Sequence, residues 1–487
     1  MVRRVIRLGG PDPASVAALE QRFAAVRERL GVPDTFPPDV LAAAEAAARD
    51  TPPPELDLTG VAFVTVDPPG STDLDQALHL ERRGDGYHLD YAIADVPSFV
   101  PPGGPVDAEA RRRGQTLYAP DRRASLHPPV LSEGAASLLP DQVRPAFVWR
   151  FELDAGGEVR AAEVVRAAVR SRSRLDYAGV QAAADAVPEG AADPGDLVAL
   201  QAVLLREVGV RREALEAARG GANLPLPEQE VSAQAGRYEL TLRAVLPAED
   251  WNAQLSLLTG MAAARFMLDA GVGILRTLPT PDDGLVARFR RQAEALGVDW
   301  PAQEPLGSLL RRLRGTAGNE LALLHEAGAL FRGAGYAPLA PGLPAPPVTT
   351  HAAVAAPYAH VTAPLRRLVD RFGLVACEAI CRGAAVSDWV VAALPDLPAA
   401  MRASDELAGR LERGCTDVVE AAVLAHRVGE VFDAVVVDVN HSGGKVQLVG
   451  PAVLAPCVGV LDLGARVRVR LDAVDLDAGA VTFSAVP

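Results

Sequence analysis

Val61-Ala-Phe-Val-Thr-Val-Asp67-Pro-Pro-Gly-Ser-Thr-Asp73-Leu-Asp75-Gln76-Ala77 decides how the rest of the chain is read. Its first half is an apolar run of strand length that ends at Asp67 in a Pro/Gly/Ser turn. Three carboxylates, Asp67, Asp73 and Asp75, then follow in close succession with no basic residue between them. Burying such a cluster at a strand end is costly unless a cation neutralises it. Oxygen ligands without His or Cys suit Mg²⁺ or Mn²⁺. An EF-hand is excluded, because its Gly and distal Glu are missing at the required spacing. The competing reading is a solvated Asp turn capping a helix that begins near Leu74, and the residues alone leave the two level.

Outward from this loop, Tyr87–Ile93 alternates as a strand, and 147–153 with 158–168 reads as a hairpin around Ala155-Gly156-Gly157. Upstream, Val16, Leu19, Phe23, Val26 and Leu30 recur at helical spacing, and 39–49 reads as a second, Ala-rich helix. The pair could form a helix-turn-helix or a plain packing unit. Helical periodicity dominates 175–335, with breaks near Gly220-Gly221 and Pro225. Helices resume after Pro364 to about 427. The last 60 or so residues change to short strands punctuated by turns at Asn440–Gly444 and Asp475–Gly479, the pattern of a small barrel of the OB type.

The chain has 487 residues, enough for two to four domains. Nearly half are apolar, which excludes wholesale disorder. Its net charge is −14, and Lys445 is the single lysine among 48 basic residues. An acidic chain is no default nucleic-acid binder, although arginine suits bidentate phosphate contacts in a local channel. Cys377, Cys381, Cys415 and Cys457 show no CxxC spacing, which argues against a zinc site or disulfide scaffold and fits a reducing cytoplasm. The start lacks the apolar stretch of a signal peptide. The long charge-free segment between Arg332 and Arg366 is too rich in proline for a membrane helix.

The acidic stretch resembles the ribonuclease II/ribonuclease R (RNB) exoribonucleases, whose pattern is an Ile/Val-Asp strand end, a short linker, then Asp-x-Asp-Asp-Ala. Ala92-Ile-Ala-Asp95-Val is similar to the family's "HIADV". Arg113-Gly-Gln-Thr-Leu-Tyr118-Ala-Pro-Asp121 resembles "RGTSVYLPD". Leu131-Ser-Glu133, Ala136-Ser-Leu138 and Arg144-Pro are similar to "LSN-CSL-R", and Arg170–Tyr177 to "SRARLTY". Tyr358-Ala-His-Val-Thr-Ala-Pro-Leu-Arg366-Arg367 is similar to "YAHFTSPIRRY". The tail from Val428-Gly-Glu-Val-Phe432 looks like the S-one type RNA-binding OB domain of these enzymes.

The resemblance implies an α+β multidomain protein. Residues 56–426 would be the catalytic domain, a mixed sheet surrounded by helices, and 427–487 the OB barrel. Residues 1–55 would be a small helical domain in place of the family's two cold-shock domains, so that the RNA clamp is built from that unit and the barrel. The implied activity is processive, metal-dependent hydrolysis of single-stranded RNA from the 3′ end to nucleoside 5′-monophosphates. A cytoplasmic monomer without membrane or organic cofactor is expected.

By carry-over, Asp67, Asp73, Asp75 and Gln76 hold Mg²⁺ or Mn²⁺. Asp75, Asp73 and Arg366 carry the chemistry, with Arg366 on the reacting phosphate and Asp75 the residue whose loss hurts most. Tyr118 would stack on bases near the 3′ end. Arg367, the Arg170, Arg172 and Arg174 run, and Arg466, Arg468 and Arg470 on one face of a barrel strand would contact RNA. Arg367 has the alternative of pairing with Asp370, and the two Arg runs that of facing solvent. The chain departs from the pattern at Gln76, where a fourth carboxylate is usual, at Gln254, often Glu, and at Gly260, often Asn. An RNA-binding protein with a decayed nuclease site is therefore the second reading. A DNA-binding regulator using the N-terminal helices is the third, but it explains neither the acidic loop nor the tail.

Overall fold

Five strands, Phe63–Val66, Gln76–Arg83, Gly86–Ala94, Val143–Leu153 and Val159–Leu175, form one barrel in the computed structural model. The structure describes every residue except 1–5, 10–12, 189, 191–192, 227, 235–236, 314–317, 441–442, 452 and 487. Neighbouring strands are antiparallel, and the first and last close the barrel in parallel, with Thr65 opposite Arg174 and Val66 opposite Leu175. The expected mixed sheet is therefore present, and it is closed on itself. Alternation sorts the side chains. Phe147, Trp149, Phe151, Tyr91 and Leu89 face one apolar cluster shared with the helices Leu197–Arg219, Pro247–Ala270 and Leu368–Cys381. Ala146, Val148, Ala92 and Val169 face the other, with Phe99, Val106 and Leu138. Both faces are dry, which explains the near-continuous apolar runs.

The helix near Leu74 is not formed; the strand Gln76–Arg83 begins there instead. Its residues Ala, Leu, Glu and Arg favour helix. They are overridden by pairing with Gly86–Ala94 along the whole strand, from Gln76 opposite Ile93 to Arg83 opposite Gly86.

The N-terminal helices span Pro13–Leu30 and Pro38–Asp50, close to where they were expected. They are not a helix-turn-helix unit. Leu19, Phe23 and Val26 pack on Leu411, Cys415 and Val419 of the long helix Leu397–Leu424. Gly414 permits that approach, since a Cβ there would lie 2.8 Å from Val26 Cγ1. Val40 and Ala44 pack instead against Phe99, Val106 and Leu131. The segment is also not purely helical: Ile6–Gly9 pairs in parallel with Glu228–Gln234, which pairs with Arg237–Arg243. Those two later strands interrupt the stretch read as helical.

The C-terminal strands Val431–Asn440, Gly443–Leu448, Leu454–Val458, Arg466–Asp475 and Ala480–Val486 form a second closed barrel around Phe432, Val446, Val469 and Phe483. The turn read at Asn440–Gly444 joins its first two strands, and residues 441–442 lie outside the described residues. The four cysteines are free, and among the described residues no helix is long and apolar enough to cross a membrane.

Candidate active site

Backbone hydrogen bonds bring the distant motifs together. The Thr116 N–H donates to the Arg366 carbonyl (3.0 Å), and the Leu368 N–H to the Gly114 carbonyl (3.0 Å). The Leu365 N–H donates to Asp75 Oδ1 at 2.8 Å, which ties this loop to the acidic stretch. Arg366 Nε then lies 3.4 Å from Asp75 Oδ2, with about half its side chain still open to solvent. Arg367 instead forks onto Asp370 (Nε to Oδ2 2.8 Å, Nη2 to Oδ1 2.7 Å), whose Oδ1 also accepts the Ala363 N–H. Arg367 makes the pairing with Asp370 and also lines the cavity beside Arg366, and the fork braces the loop that presents Arg366.

His127 supports the same loop from beneath. Its ring is buried close to the Pro364 backbone with Nδ1 left without a hydrogen-bond partner, and burial, reinforced by Arg371, lowers its pKa to about 3. The native ring therefore stays neutral where the unfolded chain's histidine takes up a proton, so stability is lost as pH falls from about 6.5 towards 3. The variant His127→Gln is expected to flatten this acid limb by up to ~1.4 kcal/mol per pH unit. Urea unfolding at pH 7, 6 and 5 measures it, and equal slopes for both proteins would discard the assignment.

Burial raises the pKa of Asp67 to about 7, although Arg366 and Arg174 pull it down. Burial likewise raises Asp75 to about 8, opposed by Arg366 and the Leu365 N–H. Asp67 Oδ2 is buried without a hydrogen-bond partner. Two carboxylates held against their charge, one with an orphaned oxygen, fit a divalent cation. Asp73 has a protein partner of its own. Its Oδ1 is held by the Arg123 guanidinium, whose Nη2 also reaches Thr72 Oγ1 (2.7 Å) and Glu133 Oε1 (2.9 Å). Among the described residues no three His, Cys, Asp or Glu side chains converge to hold a metal. An arginine not singled out in the sequence thus holds one of the two oxygens of Asp73, the residue expected beside Asp67 and Asp75 in the ligand set.

Gln76 donates from Nε2 to the Thr362 carbonyl and lines a cavity of about 610 Å³ with Tyr177, Gln254, His360 and Arg366. A carboxylate at this position would face the carbonyl and need a cation between them. Gln76→Asp is accordingly expected to lower the Mn²⁺ concentration for half-maximal activity about tenfold; superimposable metal titrations of the two proteins would refute this. Glu216, Glu249 and Asp250 line the same cavity. Gln254 donates to Glu216, so a carboxylate remains beside the position where the family often has one. Gly260 is required by packing: a Cβ would lie 2.1 Å from a Tyr358 ring carbon and 2.6 Å from the Ala359 carbonyl oxygen.

Tyr118 is 40% exposed and close enough to Arg366, Asp73 and Asp75 to feel their charge. The other arginines separate into two groups. Arg172 donates to the Thr59 carbonyl and Arg174 to the Ser71 carbonyl, while Arg170 lies near Asp57, so none of the three lines the cavity. Arg466 and Arg468 line a groove on the C-terminal barrel with Asn319 and Asp433, whereas Arg470 pairs with Asp472.

Sequence reasoning missed Arg123, Glu133 and His127. Glu133 alone left a signal, a charge where the "LSN" pattern has Asn.

Comparison with known proteins gives two family matches: the RNB domain over residues 55–373 and the RNase II-type exonuclease C-terminal S1 domain over 430–486. The chain is 30% identical over 329 residues to exosome complex exonuclease RRP44 homolog A of Arabidopsis thaliana, covering 66% of this chain and 35% of that protein. It is 26% identical to ribonuclease R of Escherichia coli, covering 88% and 57%. It thus spans less than two thirds of the length of these relatives. Among solved structures, the apo form of Mycoplasma genitalium RNase R superposes with a TM-score of 0.83 at 18% identity, covering 96% of this chain and 78% of that one. Yeast Ssd1, described as a pseudonuclease, superposes at 0.66 and 15%, covering 86% and 53%. With the RNB match spanning well over half its length, this chain belongs to the RNB family and carries a C-terminal S1 domain of the RNase II type.

Proposed function

We propose that the chain is a metal-dependent hydrolytic exoribonuclease that shortens single-stranded RNA processively from its 3′ end and releases nucleoside 5′-monophosphates. The observation that carries this is the approach of Arg366 to Asp75 beside Asp67, within a loop held by Asp370. Asp67 and Asp75 would hold Mg²⁺ or Mn²⁺, which when bound activates water and offsets charge on the phosphate. Arg366 donates to non-bridging phosphate oxygens and stabilises the charge that develops there. Tyr118 offers a ring to a base near the scissile bond, worth about 1–3 kcal/mol regardless of sequence. The cavity beyond Gln76 takes the terminal nucleoside, and Arg466 and Arg468 hold the strand farther out. Residues 56–426 are assigned to catalysis, 427–487 to RNA holding, and 1–55 to bracing the two. The enzyme is assigned to the cytoplasm, as a monomer without organic cofactor.

Two features favour the second reading, an RNA-binding protein with a decayed site: the neutral Gln76 and the capture of Asp73 by Arg123. Incubating 5′-labelled and 3′-labelled single-stranded RNA with Mg²⁺ or Mn²⁺ decides between them. Labelled mononucleotide released at once from the 3′-labelled strand supports the enzyme. A band shift without shortening in either metal supports the binder.

A further inference from the structure

The acidic loop contains a positive charge of its own, supplied by the protein. Arg123 lies on the short strand Arg123–Ala124, directly across from Tyr118 in the strand Leu117–Tyr118. Its guanidinium is held by three partners from two other segments: Asp73 and Thr72 of the acidic loop, and Glu133 of the turn Leu131–Ala135. Thr72 Oγ1 in turn donates to Glu133 Oε2 at 3.0 Å, so the acceptors are themselves connected. Ser137 pins the loop from below: it accepts the Leu74 N–H at 2.9 Å and donates to the Thr72 carbonyl at 2.8 Å. Only a quarter of the Arg123 side chain and a seventh of Asp73 reach solvent. A planar fork satisfied on both nitrogens in so confined a position is a built feature, unlike a solvated surface pair.

Its effect is on the oxygens left for a cation. Asp73 Oδ1 is occupied, Gln76 is neutral with its amide turned to Thr362, and Asp75 Oδ1 is committed to the Leu365 N–H. Asp67, Asp73 Oδ2 and the second oxygen of Asp75, which also faces Arg366 at 3.4 Å, stay available, and neither Asp73 nor Asp75 has both oxygens free to bridge two ions. A pair of ions about 4 Å apart needs bridging carboxylates that this arrangement does not supply.

We infer that Arg123 stands in place of a second metal ion, so that the site binds a single divalent cation and Asp73 serves as the anchor of the arginine. This rests on the metal-dependent reading above. Arg123 is a positioning residue here, and it sets metal number.

The test is the stoichiometry of Mn²⁺ binding to the full chain without RNA, by calorimetry and by the electron paramagnetic resonance signal of free Mn²⁺. Wild type is expected to bind one ion. Arg123→Lys, which keeps the charge, is expected to stay at one. Arg123→Met, of similar length and neutral, is expected to rise to two, the second ion weaker, and Arg123→Met with Asp73→Asn to return to one. Thermal melts show that each variant is folded, and the wild-type count needs no variant at all. Two ions on wild type, or one on folded Arg123→Met, overturn the role of Arg123 while leaving metal dependence intact. No bound Mn²⁺ on any form rejects the metal site itself, and this proposal with it.

Discussion

Asp75→Asn is expected to lower the rate of mononucleotide release by about a thousandfold or more while leaving the protein folded. The size follows from what the carboxylate does: it is a cation ligand and the neighbour of Arg366, so both electrostatic supports of the reacting phosphate lose their reference point at once. The preserved fold follows from its burial. A carboxyl whose pKa is raised to about 8 resists ionisation, and a neutral amide of the same shape removes that cost. The metal-free variant should therefore melt no lower than metal-free wild type, and RNA should still shift its mobility. A variant that retains a tenth of wild-type rate would remove Asp75 from the chemistry.

Asp370→Asn is expected to be the most damaging substitution for stability, at about 2–3 kcal/mol, because it takes the fork partner from the part-buried Arg367 guanidinium and puts an amide in a fully buried carboxylate's place. Asp370 is fully buried and holds Arg367 and the Ala363 N–H together, three residues before Arg366. Loosening that loop should also slow turnover about 10–100-fold at temperatures where the variant is still folded. Denaturant unfolding and single-turnover kinetics on the same preparation check both. An unchanged unfolding midpoint would mean that water replaces the fork and that the pair is not structural.

The acidic loop was legible because its residues are contiguous: Asp67, Asp73 and Asp75 sit on one turn at one strand end, and local spacing exposes their shared cost. Arg366 came only through family resemblance, since nothing in Thr362-Ala-Pro-Leu-Arg says that its loop meets Asp75. Arg123 stayed hidden for a related reason. Its partners are defined by a cross-strand position and a distant turn, and an Arg-Arg pair after Asp121 reads as surface. The strand Ile6–Gly9 pairs with a segment more than two hundred residues away and so has no local signature. The Gln76–Arg83 strand was obscured by helix-favouring side chains that only its neighbour overrules.

The seat of the first helix has a consequence for how the protein is made. Pro13–Leu30 leaves the ribosome hundreds of residues before the surface it covers, on Leu397–Leu424, is synthesised. At translation speeds of about 5–20 residues per second, Leu19, Phe23 and Val26 wait roughly 20–70 s for their partners. During that interval the nascent chain shows a greasy stripe along this helix. Holdase chaperones have a natural target there, and premature termination before residue 397 would leave a product marked for proteolysis by the same stripe.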